Sequence, residues 1–135
     1  GADEAARTLS QLKRVIRTNY SNPPTHGGQV VAMVLGSAAL RALWEQELAG
    51  MRDRIRVMRE QLAGKLKARL PAHDFGYVTR QRGMFSYSGL SSEAVANLRE
   101  KYAVYAVDTG RICVAALNNR NLDYVADAIA AVMKS

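Results

Sequence analysis

One run of apolar residues limits what this chain can become more than any other feature. Between Ser37 and about Arg69, the residues Trp44, Leu48, Met51, Ile55, Met58, Leu62 and Leu66 advance in steps of three or four. That spacing keeps one face of an α-helix apolar, because a turn takes about 3.6 residues. Ser37 is a suitable N-cap, and Pro71, which has no N–H to donate, ends the run. The spacing therefore predicts one long amphipathic helix over 37–69. A helix of that length bridges two parts of a structure or packs as a coiled coil. Its opposite side carries Arg52, Arg56 and Arg59, which read as a solvated face.

Upstream, Ala5, Leu9, Leu12 and Ile16 predict a helix over 4–17, with Asp3 as its cap and Glu4 in the first turn. Gly1-Ala2 reads as a cloning remnant, so a cut chain is expected. In Asn19-Tyr20-Ser21-Asn22-Pro23-Pro24 the paired prolines fix two backbone angles and push Asn22 out of the helical region, which makes a shaped loop. Val30, Val31, Met33, Val34 and Leu35 read as a buried helix, with a buried strand as the alternative.

Beyond Pro71 the pattern shortens into β-like runs: Phe75–Val78, Met84–Tyr87 and Ile112–Val114, with Gln81-Arg82-Gly83 as a hairpin turn between the first two. Ser91 and Ser92 before Glu93 start a helix that Val95, Leu98 and Tyr102 continue. Asp108-Thr109-Gly110 is a turn, and Asn118 to Asn121 cap a last helix striped by Leu122, Val125, Ala126, Ile129 and Met133. This order predicts an α+β fold of two layers, a small sheet with helices on one face, preceded by a helical arm.

Composition narrows the function classes. With 135 residues, 48% of them hydrophobic, the chain suits one domain with its own core. No apolar run approaches the roughly 20 residues that cross a bilayer, and the acidic start does not suit a signal peptide, so a soluble protein is expected. The single cysteine, Cys113, lies in an apolar run and cannot form an internal disulfide, which suits the cytoplasm. A net charge of +7 allows a nucleic-acid-binding module as an alternative, by counterion release. The basic residues are scattered, however, and no stacking aromatics are interleaved with them, so no nucleic acid is expected.

His26 and His73 stand alone, without ligand-spaced Cys, Asp or Glu, so no metal is expected. Phosphate loop, nucleophile elbow and CxxC are all missing. What remains is two arginines beside rigid or turn-forming residues: Arg17, before the double proline, and Arg111, after Thr109-Gly110. A guanidinium offers a planar fork that grips a carboxylate through two parallel hydrogen bonds. The plainer alternative for each is a surface ion pair or a solvated strand end.

Arg17-Thr18-Asn19-Tyr20-Ser21-Asn22-Pro23-Pro24 with His26-Gly27 resembles a loop of class I aminotransferases of the aspartate and aromatic branch. Gly83-Met84-Phe85-Ser86-Tyr87-Ser88-Gly89-Leu90 resembles a second signature of that branch, and Thr109-Gly110-Arg111-Ile112-Cys113-Val114-Ala115 a third. Leu43-Trp44-Glu45 and Met51-Arg52 extend the match, in order, over nearly the whole chain. The sequence departs at Ala115-Ala116, where the family commonly has Ala-Gly.

The resemblance implies that Arg111 holds the α-carboxylate of an amino acid. Arg17 would reach into the neighbouring subunit's site and pair with the side-chain carboxylate of aspartate or glutamate. Phe85 would border the substrate pocket, and Asn19, Ser21 and Asn22 would line the subunit boundary of a homodimer. The implied reaction moves an amino group between an aromatic L-amino acid, tyrosine or phenylalanine, and the 2-oxo acid 2-oxoglutarate. Aspartate is the alternative donor. The implied cofactor is pyridoxal 5'-phosphate, whose Schiff-base lysine, ring-nitrogen aspartate and phosphate ligands lie upstream in the family and have no counterpart here. The chain alone is expected to be inactive and not to bind the cofactor. The long helix then joins a large cofactor domain, represented by residues 1–50, to a small C-terminal domain, residues 51–135. Apart from the large domain, residues 1–36 are expected to self-associate or to lack order.

Overall fold

The structure, a computed structural model, describes residues 1–21 and 24–134. The chain divides into two compact units, Gly1–Gln46 and Glu47–Ser135.

The first unit holds α1 (Ala2–Asn19), α2 (His26–Gly36) and the opening turns of α3 (Ala38–Arg69). α1 runs two residues further at each end than its apolar spacing predicts. Gly1, not Asp3, is its N-cap, and the terminal ammonium donates to the Glu4 carboxylate. At the far end the Thr18 hydroxyl donates to the Val15 carbonyl at 2.9 Å. Ser21 then turns the backbone into the left-handed region at φ 57°, its N–H directed to the Ile16 carbonyl at 3.3 Å. The stretch around Val30–Leu35 is a helix, as read, but it is not buried: Val31 and Met33 are 57% and 68% exposed.

The second unit holds the rest of α3, then α4 (Gly76–Arg80), β1 (Phe85–Tyr87), α5 (Ser92–Tyr102), β2 (Arg111–Cys113), a 3-10 turn (Val114–Ala116) and α6 (Leu122–Lys134). Ser37 caps α3 as expected, accepting from the Leu40 N–H at 3.4 Å, and Ser91 caps α5, accepting from the Ala94 N–H at 3.2 Å. The core forms where the inner faces of the helices meet. Met58, Leu62 and Leu66 of α3 cluster with Leu98 of α5 and Leu122, Ala126 and Ile129 of α6. Each such large side chain contributes roughly 1.5–3 kcal/mol by leaving water. The apolar stripe of α3 is thus covered only from its middle onward, and Leu48 and Met51 stay exposed. Outside the core, Lys65 pairs with Asp123 at 2.6 Å and Arg69 with Asp127 at 2.5 Å, tying α3 to α6.

Two expectations are corrected here. Phe75–Val78 is not a strand: Gly76–Arg80 is a short helix. Asp74 starts it by accepting from the Gly76 N–H at 2.8 Å, and Phe75 and Val78, three residues apart, are the pair that is buried. The hairpin predicted around Gln81-Arg82-Gly83 therefore does not form. Instead β1 pairs antiparallel with β2, Phe85 opposite Cys113, Ser86 opposite Ile112 and Tyr87 opposite Arg111. Arg59 is the second correction, because it is buried rather than solvated. It lies four residues after Ile55 and three before Leu62, at the edge of the apolar stripe and not opposite it.

The result is a helix-rich chain with one two-stranded sheet among the described residues. Among those residues no single helix is long and apolar enough to cross a membrane.

Candidate functional site

The β1–β2 ribbon sorts its residues by face. Ser86 points inward and is buried, whereas Phe85, Tyr87 and Arg111 are exposed on the other side. Arg111 lies diagonally across from Phe85, and its guanidinium carbon sits 4.9 Å from the centre of the phenyl ring. Among the described residues the Arg111 guanidinium pairs with no carboxylate. The structure thus brings Phe85 and Arg111 together, with no carboxylate on the guanidinium fork among the described residues.

The turn before Arg111 is fixed by Gly110. Its N–H donates to the Val107 carbonyl at 2.8 Å, and its φ is +82°. A Cβ at this position would come within 2.9 Å of the Leu90 carbonyl oxygen, so both conformation and space demand glycine. The Gly110 carbonyl accepts from the backbone N–H of Ser88 at 2.9 Å and from its buried hydroxyl at 2.7 Å. Tyr77 donates its phenol to the Ser88 carbonyl, and burial, aided by the charge of Asp74, raises its pKa and keeps it a donor.

Two arginines of α3 grip the backbone on either side of the ribbon. Arg54 donates to the carbonyls of Ala115 and Leu117 at 2.9 and 3.0 Å, securing the turn that follows β2. Arg59 donates to the carbonyls of Val78, Gly83 and Phe85 at 2.8, 2.8 and 2.6 Å. Burial, and then the charge of nearby Arg82, lower its pKa from the ordinary arginine value. Gln81 completes the frame. Its side-chain oxygen accepts from the Tyr87 N–H at 2.8 Å and the Ser86 hydroxyl at 2.7 Å, and its amide nitrogen donates to the Tyr87 carbonyl at 3.3 Å. Sequence reasoning missed Arg54, Arg59 and Gln81 as site supports. The position of Arg59 beside the apolar stripe was the available signal.

Arg17, Asn19 and Ser21 lie in the first unit, in the last turn of α1 and just after it, and all three are exposed. Arg17 has no ion pair among the described residues. Asn22 lies outside the described residues. The second unit also holds a groove of about 650 Å³ whose lining includes Leu48, Met51, Ile55 and Met84 with Arg56 and Arg59. Arg111 and Phe85 do not line it.

Comparison with known proteins gives these features a setting. The chain is 61% identical over 131 residues to an aspartate aminotransferase of Pseudomonas aeruginosa, covering 97% of this chain and 33% of that protein. It is 51% identical over 132 residues to an aromatic-amino-acid aminotransferase of Escherichia coli, covering 98% and 33%. A crystal structure of an aromatic-amino-acid aminotransferase from Burkholderia pseudomallei, covalently bound to pyridoxal phosphate, superimposes with a TM-score of 0.89 at 69% identity, covering 96% of this chain and 33% of that one. The chain spans about a third of the length of the curated relatives it matches. Its residues 2–129 match the pattern of aminotransferase class I and II, and the chain belongs to that family.

Proposed function

We propose that the parent protein is a pyridoxal-phosphate-dependent aminotransferase that moves an amino group between an aromatic L-amino acid, tyrosine or phenylalanine, and 2-oxoglutarate. One observation carries this reading. Arg111 stands on an exposed ribbon face beside an aromatic ring, with its fork of donors free of any carboxylate among the described residues. In the proposed site that fork holds the α-carboxylate, and Phe85 forms the adjoining pocket wall. Arg17 binds the side-chain carboxylate of a dicarboxylic substrate in the site of a second copy, with Asn19, Ser21 and Asn22 at the subunit boundary. The second reading, aspartate as the main donor, rests on the identity to an aspartate aminotransferase.

Pyridoxal phosphate supplies an electron sink for the bond broken at the substrate's Cα. The residues of this chain do not fit that group by themselves. Lys65 is held by Asp123, and Lys67 by the carbonyls of Pro71 and His73. The ribbon offers a guanidinium and a ring on one open face, not an enclosed cradle. We therefore assign the cofactor's ligands to the rest of the parent and expect this chain alone to be inactive. The same reading places residues 1–50 with a large cofactor domain and 51–135 with a small two-layer domain. The change of unit between Gln46 and Glu47 supports a division near that point.

The test is a donor half-reaction in the full-length protein, with tyrosine, phenylalanine and aspartate compared. Arg111→Lys loses about a hundredfold in kcat/KM for every donor, since lysine cannot grip a carboxylate through two parallel bonds. Arg17→Ala loses activity with aspartate and keeps it with tyrosine. Full activity of the Arg111 variant would overturn the assignment. Aspartate outpacing tyrosine in the unaltered protein would select the second reading.

A further inference from the structure

Arg59 is 4% exposed, and among the described residues it faces no carboxylate. A buried cation without a counter-ion is costly, and an apolar side chain of similar length would fill the space without that cost. What the guanidinium alone provides is three donated hydrogen bonds to backbone carbonyls, the shortest to Phe85 at 2.6 Å. On β1 the Met84 carbonyl accepts from the Val114 N–H at 2.8 Å, and the Ser88 N–H donates to the Gly110 carbonyl at 2.9 Å. The groups of the intervening Phe85 and Tyr87 therefore point away from β2. Arg59 takes the Phe85 carbonyl on that outer edge, where no strand can hold it.

We propose that Arg59 is a positioning residue for Arg111, acting through Phe85. The Arg111 guanidinium lies over the Phe85 ring, 4.9 Å from its centre, so the direction of the fork follows the placement of the ring. That placement depends on the Phe85 backbone, and Arg59 joins it to Gly83 and to the middle of α4 at Val78. A lysine at this position would offer one ammonium and could not span the three carbonyls with a rigid fork. The inference rests on the reading of Arg111 as the carboxylate-binding group.

The experiment measures binding of 3-phenylpropionate to the full-length protein by calorimetry. This probe has a ring and a carboxylate but no amino group to transfer. Arg59→Lys and Arg59→Met are each expected to weaken binding about tenfold, and neither to weaken it further when combined with Arg111→Gln. Thermal unfolding is recorded for every variant, and if Arg59→Met does not fold, Arg59→Lys carries the test. A folded Arg59 variant with unchanged affinity, or losses that simply add to that of Arg111→Gln, would overturn the proposal. If Arg111→Gln alone leaves binding intact, the site reading fails first. If it abolishes binding while the Arg59 variants bind normally, only the positioning role fails.

Discussion

α1 and α6 carry the same kind of apolar stripe and meet opposite fates. In α6, Leu122, Ala126 and Ile129 are buried against α3 and α5. In α1, Leu9, Leu12, Val15 and Ile16 are all more than half exposed, and no residue of the helix is buried. The contrast extends to the units around them, since every buried apolar residue in the described chain belongs to the second unit. An amphipathic pattern specifies that a helix forms and which face seeks cover. It does not specify what supplies that cover, which is a property of tertiary structure.

The sharpest way to break this comparison is to truncate one leucine in each unit. Leu62→Ala should lower the free energy of unfolding in urea by about 2–5 kcal/mol, since it opens a cavity in the core. Leu12→Ala should stay within about 0.5 kcal/mol, as exposed substitutions do. Equal losses would mean that the first unit has a core of its own. Next in size is Gly110→Ala, which puts a side chain at φ +82° and against the Leu90 carbonyl. A cost of about 1–3 kcal/mol is expected in the same assay. Ser91→Ala removes the α5 cap and should cost about 1 kcal/mol, with the second unit's amides exchanging faster in deuterium.

The smallest effect is one of pH. Hydrogen bonding to Lys65 holds the Asp123 carboxyl below the usual range, and hydrogen bonding to Arg69 does the same for Asp127. A carboxyl depressed in the folded state adds stability above its unfolded pKa, and that stability is lost as pH falls through the folded value. The increment should therefore vanish below about pH 4, and Asp123→Asn with Asp127→Asn should flatten that part of an acid titration followed by circular dichroism. An unchanged acid slope in the double variant would show that the α3–α6 pairs add nothing.

How much of this was legible in the sequence depended on the range of the forces involved. The caps at Ser37 and Ser91, the Asp108-Thr109-Gly110 turn and the stripes of α3 and α6 are local, and the structure bears them out. Phe75–Val78 misled because Phe, Tyr and Val favour strands, while the deciding signals were the Asp74 carboxylate accepting from the Gly76 N–H and burial three residues apart. Arg59 misled for a different reason. A charge beside an apolar stripe reads as solvated unless one knows that three carbonyls converge on it, and two of those depend on the path of residues 83–85. The proximity of Phe85 and Arg111 was equally hidden, because it arises from pairing strands separated by α5. The Ile112–Val114 run marked a strand, one residue off the observed Arg111–Cys113, but not its neighbour.

Gln81 has a consequence beyond shaping the ribbon. A strand's outer edge ordinarily exposes the donors and acceptors that recruit a foreign strand. Here the Tyr87 N–H and carbonyl are already taken by the Gln81 amide, and the Phe85 carbonyl by Arg59. A side-chain amide thus stands in for the missing neighbour. A chain approaching this edge would have to displace bonds already made, so the ribbon's aromatic ring and arginine stand on an open face beside an edge that is already occupied.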